Sequence, residues 1–495
     1  MPAEYLIAVD CGSGGVKCFL VDTRGKIVSQ AGVEWERDDW NTDIGWRAIK
    51  KAIRKTLAGS RIDPGEVAGI STTSMREEFV LLDKRGKEIP LRFTPDIYAH
   101  GDELNKRLGE KMYRISGHWP VSGWIAAAKL AWLKDKHPEI LDQAHLFLMI
   151  GDWAGYMLGG VPYTEGSSAC ETSIFDVKKG DWAWELLEEL KLPSGIFPKV
   201  KKNAAQVAQI TEKAAKGTTL NEGTPVVVGG ADTQCGLIGC GAINSGDVVV
   251  VGGTTTPVQM VTEKPVFDKE GRTWTNRHAI NDKWTLESNA GRTGWVYRWF
   301  RDNILCEKPS TRIYETMNSL AAESSPGSNG VKVYMGPHIF NAGPPYWKGD
   351  TLSDSPVPPT ILGSSKFTLG DLARAILEAN CYAVRANLEQ LTEITGMKAG
   401  KLCFCGGNSN AAIWNNIQSA VLGMPISVPK ERDATAVGAS ICAAVGSRVY
   451  SDISKAIREM VHMEKPVEAD AALIKQYNTY YNSWIETRRR LSGVL

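Results

Sequence analysis

Near the amino terminus, a glycine-rich turn separates two short apolar runs and carries side chains suited to binding an anion. The turn reads Asp10-x-Gly12-Ser13-Gly14-Gly15-x-Lys17. Successive backbone N–H groups in such a turn point toward one place and form a cradle for phosphate. Ser13 adds a hydroxyl donor, Lys17 adds a positive charge, and Asp10 is placed to hold Mg²⁺ through water. The alternative interpretation is an ordinary tight hairpin with a solvated lysine.

A second turn of the same composition lies in the later part of the chain and reads Gly252-Gly253-Thr254-Thr255-Thr256. Its glycines allow close backbone approach to a ligand, and hydroxyls follow them. A threonine-rich strand is the alternative, because Thr favours sheets. Taken together, the two turns predict a pair of phosphate-binding hairpins that face each other across a cleft.

A carboxylate, Asp232, follows the buried-strand run Pro225–Val228 and the glycines Gly229 and Gly230. The carboxyl end of a strand is where α/β sheets bind ligands. A carboxylate there can accept the proton of an attacking hydroxyl during phosphoryl transfer. The neighbouring Thr233 is a further candidate for contact with the acceptor. The competing interpretation of Asp232 is a helix N-cap.

An adjacent cation and anion, Arg76 and Glu77, follow another strand-like run near Ile70. In a cleft, Arg donates to one hydroxyl of a vicinal pair and Glu accepts from the other; on the surface the two would be a plain ion pair. Trp119 lies in the glycine-bordered loop 116–120 and is a candidate for stacking on the same ligand.

A strand followed by paired glycines and polar residues, Cys405-Gly406-Gly407-Asn408-Ser409-Asn410, forms a flat backbone platform. Such a platform suits a nucleoside, with the amino end of the next helix, 411–422, close by. A further helix, 434–445, begins with small residues that permit close packing.

Helical and strand-like patterns alternate along the chain, which predicts an α/β fold. The order of strand, glycine-rich turn and strand begins near residue 6 and again near residue 247. This internal repeat predicts two related α/β domains around a central cleft. We place the boundary between residues 1–244, the first half, and residues 245–495, the second half. The stretch 305–365, rich in Pro, Gly and Ser, indicates no particular element.

Composition excludes several classes of partner. The chain has 495 residues and a formal net charge of +1, so no strong field favours nucleic acid or an anionic membrane. The amino terminus has no signal-peptide order, and the apolar runs are shorter than a membrane span requires. The 10 cysteines show no paired zinc-site spacing. We therefore expect a cytoplasmic protein with reduced core thiols.

The order of these motifs resembles that of the FGGY family of carbohydrate kinases, whose fold is similar to that of actin and hexokinase, with two ribonuclease-H-like domains. The likeness covers nearly the whole chain. It is carried by Asp10, Gly12, Ser13 and Lys17, by Gly229–Asp232, by Gly253-Thr254-Thr255, by Gly406-Gly407-Asn408-Ser409 and by the small-residue segment 434–446.

The resemblance implies an ATP- and Mg²⁺-dependent kinase acting on a hydroxyl of a small polyhydroxy compound. It implies that Asp232 is the general base, that Asp10 and Asp232 serve the metal, and that Arg76 and Glu77 contact the acceptor. Gly294 and Arg298 match positions that reach the nucleotide, although Arg298 replaces the usual neutral residue. The loop 93–97 lacks the common W-x-D-x-R pattern.

Within the family, Ser74-Met75-Arg76-Glu77, Ile150-Gly151-Asp152-Trp153 and Arg298-Trp299-Phe300-Arg301-Asp302 are similar to the autoinducer-2 kinase subgroup. Xylulokinase- and glycerol kinase-type acceptors stay open, because few pocket changes shift the preference among polyhydroxy ligands. A different class, a nucleotide-gated binding protein or ATPase on the same fold, is the alternative function. The sequence leaves the oligomeric state open, with a homodimer among the possibilities.

Overall fold

The structure is a computed structural model that describes residues 4–35, 40–120, 123, 125–343, 357 and 359–492. Its strands, in chain order, are β1 (Tyr5–Gly12), β2 (Gly15–Asp22), β3 (Ile27–Glu34), β4 (Val67–Ser74), β5 (Phe79–Leu82), β6 (Leu146–Met149), β7 (Thr164–Glu165), β8 (Phe175–Asp176), β9 (Asp181–Trp182), β10 (Val200–Lys201), β11 (Gln206–Gln209), β12 (Pro225–Ala231), β13 (Val248–Val251), β14 (Pro257–Thr262), β15 (Trp274–Arg277), β16 (Trp284–Asn289), β17 (Lys332–Val333), β18 (Ile361–Leu362) and β19 (Leu402–Cys405).

The α-helices are α1 (Thr42–Ser60), α2 (Asp96–Ser116), α3 (Ala126–Lys136), α4 (Pro138–Gln143), α5 (Ile150–Gly159), α6 (Gly166–Ala169), α7 (Trp184–Glu189), α8 (Glu212–Thr218), α9 (Asp232–Gly239), α10 (Thr293–Trp299), α11 (Thr311–Glu323), α12 (Leu369–Thr395), α13 (Ala412–Leu422), α14 (Ala434–Gly446), α15 (Ile453–Met460) and α16 (Ala471–Ser492). None of the helices within the described ranges is long and apolar enough to cross a membrane.

The first half is built on a six-stranded sheet in the order β11-β12-β4-β1-β2-β3. Strands β1, β2 and β3 form an antiparallel meander. Strands β4 and β12 then run parallel to β1. Apolar side chains alternate between the two faces, so Ile7 and Val9 pack under α1 while Leu6 and Ala8 pack under α14.

The second half repeats this plan with a five-stranded sheet in the order β15-β16-β14-β13-β19. Strands β13 and β14 are antiparallel, and β19 runs parallel to β13. The long helix α12 packs on this sheet and begins with a capping box, in which Thr368 and Asp371 each bind the backbone N–H of the other. The predicted α/β fold with two related sheets is therefore confirmed.

Helix α14 follows the second sheet in sequence but packs mainly on the first sheet and on α9. The small residues of this helix permit the close packing that the sequence predicted. A Cβ at Gly438 would lie 1.8 Å from the carbonyl oxygen of Cys235, and a Cβ at Gly239 would lie 1.9 Å from that of Ala434. The two backbones touch here, which fixes α9 and its first residue, Asp232.

A separate hydrophobic core lies within the first half, formed by the segment between about residues 79 and 197. The segment also binds the second half: Trp119 Nε1 donates to Gly271 O at 2.9 Å and Trp284 Nε1 donates to Val177 O at 2.8 Å. The two halves are therefore joined here as well as at the crossover near residues 240–247.

Strand β6 ends at Met149, and the next residue, Ile150, begins helix α5. The stretch without a predicted element contains helix α11, whose N-cap Ser310 accepts from Ile313 N. Residues 344–356 and 358 of that stretch lie outside the described residues.

Candidate functional site

Three parallel strands end side by side and bring the predicted chemical groups to one edge of the first sheet. Asp10 on β1 lies opposite Thr73 on β4, and Thr73 lies opposite Gly230 on β12. Arg76 comes two residues after β4 ends, and Asp232 comes directly after β12. Since neighbouring strands are ~4.8 Å apart, this edge gathers side chains that are far apart in sequence.

The charge of Asp232 acts on Asp10 at this edge. Burial and the negative charge of Asp232 together raise the pKa of Asp10 to about 7, although Lys17 acts to lower it. Burial also raises the pKa of Asp232, against the lowering effect of Arg76. Both carboxyls therefore resist ionising, and a cation close to them would favour their ionised forms.

The predicted first hairpin joins β1 to β2, with Ser13 and Gly14 exposed at its tip. It lines an open cavity of about 740 Å³ together with Lys17. Lys17 Nζ lies 3.9 Å from Asp433 Oδ1, at the start of α14. Both side chains of that pair are exposed to solvent, so Lys17 does not form a buried ion pair with Asp433.

The predicted second hairpin, with Gly253, Thr254 and Thr255, joins β13 to β14. Arg298 on α10 supports it, because its Nη2 donates to Thr254 Oγ1 at 3.0 Å. Gly294 packs against the same turn so closely that a Cβ would lie 2.1 Å from Gly253 O. Both positions taken from the family resemblance thus contact this hairpin.

A cavity of about 580 Å³ opens beside the second hairpin. Six predicted nucleotide-binding residues line it: Gly253, Thr254, Gly294, Arg298, Gly407 and Asn410. Thr255 and Gly406 do not line it. Gly406 has a φ of +81°, and a Cβ there would lie 2.6 Å from Gly252 O, so it sets the path of the platform instead.

The aromatic and polar walls of this cavity were not predicted from the sequence. These are Tyr297, Tyr314, Glu315, Asn318 and Trp414. Tyr297 and Trp414 meet edge to face with ring centroids 5.5 Å apart, and Tyr297 OH donates to Asn318 Oδ1 at 2.7 Å. Tyr314, Glu315 and Asn318 belong to α11, the helix within the unassigned stretch.

Arg76 is held between carboxylates of both halves. Its Nη1 donates to Glu171 Oε1 at 2.7 Å and to Glu287 Oε2 at 2.7 Å, and its Nη2 donates to Glu287 Oε1 at 3.0 Å. The pairing with Glu77 is electrostatic rather than hydrogen-bonded within the described residues. Glu171 and Glu287 were not predicted from the sequence as partners of Arg76, because neither belongs to a local motif.

Glu77 adopts a left-handed backbone conformation, with φ of 76°. A non-glycine residue in this region is strained and commonly marks a functional loop. Burial raises the pKa of the Glu77 carboxyl, while the nearby Arg76 lowers it. The turn directs the chain from the end of β4 toward β5.

Trp119 and Thr233, the other two predicted acceptor contacts, are engaged by protein groups. The indole N–H of Trp119 donates to the carbonyl oxygen of Gly271, and the Trp119 ring stacks on Tyr113 with ring centroids 5.1 Å apart. Thr233 Oγ1 donates to Gln234 Oε1 at 2.7 Å, and its backbone N–H donates to Asp232 Oδ1 at 2.7 Å. Trp119 thus packs between the halves, and Thr233 helps to orient the Asp232 carboxylate.

Comparison with known proteins identifies the class. Residues 5–239 match the N-terminal domain of the FGGY family of carbohydrate kinases, and residues 248–447 match its C-terminal domain. The chain therefore belongs to the FGGY family of carbohydrate kinases. The recognition made from the motifs is confirmed.

The relatives differ in the acceptors that their names state. An autoinducer-2 kinase from Salmonella paratyphi B is 28% identical and aligns over 99% of this chain and 95% of its own length. A xylulose kinase structure from Lactobacillus acidophilus has a TM-score of 0.85 at 20% identity, covering 99% of this chain and 98% of that one. A gluconate kinase structure from the same organism has a TM-score of 0.84 at 20% identity, with the same coverage.

Proposed function

We propose that this protein transfers the γ-phosphoryl group of ATP to a hydroxyl of a small polyhydroxy compound, with Asp232 as general base. The observation that carries this proposal is the shared sheet edge at which Asp232, Asp10 and Arg76 meet beside a glycine-rich hairpin. A carboxylate whose pKa is raised is a better proton acceptor near neutral pH.

The nucleotide would lie across the second half. We assign the base and ribose to the cavity walled by Tyr297 and Trp414, since aromatic faces stack on a nucleobase. The phosphates would extend between the two hairpins, where the backbone N–H groups, Ser13, Lys17 and Thr254 supply donors. In this scheme residues 1–244 bind the acceptor and residues 245–495 bind the nucleotide.

Asp10 and Asp232 fit a magnesium ion. Their oxygens are of the kind that Mg²⁺ prefers, and the raised pKa of each carboxyl supports a site at which an added positive charge would favour the ionised forms. When bound and held by Asp10 and Asp232, the ion would supply positive charge that offsets the negative charge developing on the phosphates. The protein's own part is to hold the two carboxylates toward the phosphates.

Arg76 retains donors for an acceptor. A guanidinium has five N–H groups, and three of those in Arg76 are used by Glu171 and Glu287. The Nε–H and one Nη2–H have no partner among the residues that the structure describes, so they are available to hydroxyl or keto oxygens, with Glu77 as the accepting partner. We propose an acceptor of the autoinducer-2, pentulose or polyol type, bound between Arg76, Glu77 and Asp232.

Acceptor-dependent ADP release tests this proposal. Polyols, pentuloses and 4,5-dihydroxy-2,3-pentanedione would be supplied one at a time with ATP and Mg²⁺. We expect at least one to raise ADP release well above the acceptor-free rate, because closure limits transfer to water. A nucleotide-gated ATPase, the alternative function, would release ADP at a rate that no acceptor changes.

A further inference from the structure

Strand β12, which leads into Asp232, loses its neighbouring strand on one edge just before it ends. The pairing of β11 with β12 ends at Val227. The chain before β11 extends the pairing by one residue, because Val228 N donates to Ala205 O at 3.0 Å. The last residues of the strand, Gly229–Ala231, are buried and directly precede Asp232. Their backbone groups on this edge need other partners, since buried N–H and C=O groups are costly when they are unpaired.

Two buried side chains bind this end of the strand. Ser167 Oγ accepts from Ala231 N at 2.9 Å, and Asn203 Nδ2 donates to Gly229 O. Because both side chains are buried, these hydrogen bonds are shielded from water and are electrostatically strong. Side chains from two other segments of the chain therefore replace a neighbouring strand immediately before Asp232.

The carboxylate of Glu165 joins these two side chains. Its Oε2 accepts from Ser167 Oγ at 2.8 Å and from Asn203 Nδ2 at 2.8 Å. It also accepts from Ser167 N at 2.7 Å, while Oε1 accepts from Ser168 N at 2.6 Å. Glu165 is buried, and a buried carboxylate needs donors of this kind. Since the Ser167 hydroxyl gives its proton to Glu165, its oxygen is oriented to accept from Ala231 N.

Helix packing holds Asp232 from the opposite side. Asp232 is the first residue of α9, and Thr435 Oγ1 on α14 donates to Asp232 O at 3.1 Å. The end of β12 and the start of α9 together fix the backbone from which the Asp232 side chain extends. A general base must lie within hydrogen-bond reach of the proton that it accepts. A displacement of about 1 Å can cost about 10²-fold in rate.

We propose that Glu165, acting through Ser167 and Asn203, is a positioning residue that holds Asp232 where it accepts the proton of the acceptor hydroxyl. The proposal rests on the function proposed above. The Glu165 carboxylate orients the Ser167 hydroxyl and the Asn203 amide, and these two groups fix the end of β12. The alternative is that the three residues only stabilise the fold, and the two roles predict different kinetics.

Ser167→Ala removes one of the two links between Glu165 and β12. The change leaves Ala231 N without its acceptor, so the end of the strand is free to shift. With an acceptor that raises ADP release, we expect kcat to fall about tenfold or more. The KM values for ATP and for the acceptor should stay nearly unchanged, because the change affects the placement of the base rather than binding. An unchanged kcat, or a loss confined to the KM values, would overturn the proposal.

Ser168→Ala is the matched control. Ser168 is the next residue and is also buried, and its bond to Glu165 is made by its backbone N–H, which the change keeps. This variant should retain the wild-type kcat. A loss equal to that of Ser167→Ala would overturn the proposal, because any change in this segment would then act through the fold. Asn203→Ala tests the second link, with the same expected fall in kcat at constant KM, should Ser167→Ala fail to fold.

A double-mutant cycle with Asp232→Asn separates positioning from stability. If Ser167 acts through Asp232, Ser167→Ala should lower the residual turnover of Asp232→Asn much less than it lowers the turnover of the wild type. A general weakening of the fold would lower both turnovers by the same factor. Equal factors would therefore overturn the proposal.

Asp232→Asn alone distinguishes failure of this proposal from failure of the proposed function. If Asp232→Asn is nearly inactive while Ser167→Ala and Asn203→Ala keep the wild-type kcat, only the positioning role is wrong. If Asp232→Asn keeps near-normal turnover, or if no acceptor raises ADP release, the proposed function is wrong and the positioning role is overturned with it.

Discussion

At the scale of single residues, Asp232 has the clearest assigned task. Asp232→Asn keeps the shape of the side chain but removes the proton acceptor. We expect phosphoryl transfer to fall by about 10²-fold or more, the usual contribution of a general base. Nucleotide affinity, measured by calorimetry in the absence of acceptor, should stay nearly unchanged. Near-normal turnover by this variant with any accepted substrate would show that Asp232 is not the base.

Arg76 and Glu77 are expected to act on the acceptor alone. Because Arg76→Ala would leave Glu171 and Glu287 without their cation, Arg76→Lys is the cleaner change: it keeps the charge and loses the planar fork. Arg76→Lys and Glu77→Gln should each raise the acceptor KM at least about tenfold, since each breaks a buried charged hydrogen bond. The KM for ATP should hold steady. Equal small effects on both KM values would move the acceptor site elsewhere.

Residues at strand ends were predictable, and residues that complete the cluster were not. Asp10, Arg76 and Asp232 each come shortly after a strand-like run, so their meeting at one sheet edge follows from the parallel order of the strands. Glu171 and Glu287 reach Arg76 across 95 and 211 residues of chain. No local pattern encodes such contacts, since they depend on how the inserted segment and β16 pack. The roles of all these residues in catalysis stay predictions.

At the scale of elements, the contact between α10 and the second hairpin sets the shape of the nucleotide cavity. Gly294→Ala would place a methyl group 2.1 Å from Gly253 O, so the hairpin must shift. We expect the KM for ATP to rise at least about tenfold, because a displacement of about 1 Å at a binding loop has effects of that size or larger. Gly195→Ala is the control, since a Cβ there meets nothing within 4 Å. An unchanged KM for Gly294→Ala would remove this hairpin from the nucleotide site.

His278, beside the crossover between the halves, should give stability a specific pH dependence. Its Nε2 donates to Ala242 O at 3.0 Å, and its Nδ1 accepts from Ile280 N at 2.9 Å. Burial lowers its pKa from 6.5 to about 4. Between pH 4 and pH 6.5 the His278 ring is protonated in the unfolded chain but neutral in the folded protein. The stabilising contribution of the neutral ring is therefore fully present above pH 6.5 and is lost as the pH falls toward 4.

Comparison with His278→Gln isolates this contribution, because Gln can donate and accept but does not titrate in this range. The stability advantage of the wild type over the variant should shrink by about 1.4 kcal/mol per pH unit below pH 6.5. Urea unfolding at several pH values from 7.5 to 5 measures the difference. A gap independent of pH would mean that His278 is not held neutral in the folded protein.

Elements with a strong periodic pattern were predicted well, while those that depend on packing were not. The pairs β1–β2 and β13–β14 and the helices α13 and α14 follow from apolar runs, glycine turns and small-residue runs. Helix α11 was missed because it lies in a stretch whose Pro, Gly and Ser content favours loops. Its N-cap Ser310 and its buried residues Ile313 and Met317 are the local signals that could have found it.

At the scale of the whole molecule, we expect the two halves to close when both substrates bind. Gly241 and Gly246 adopt positive φ at the crossover, and the contacts of Trp119 and Trp284 join the halves a second time. A closing rotation about these contacts would expel water from the transfer site. Small-angle scattering of the free and doubly liganded protein should show a smaller radius of gyration in the latter; an unchanged radius would contradict closure.

The central claim is that the phosphoryl group passes to an organic hydroxyl, and the fate of labelled γ-phosphate tests it most directly. The protein would be incubated with γ-labelled ATP, Mg²⁺ and an acceptor that increases ADP release, and the products separated. The account predicts that the label appears as a phosphate ester of the acceptor and that Asp232→Asn forms almost none. Label found only as inorganic phosphate, at a rate that the acceptor does not change, would contradict the account and identify an ATPase instead.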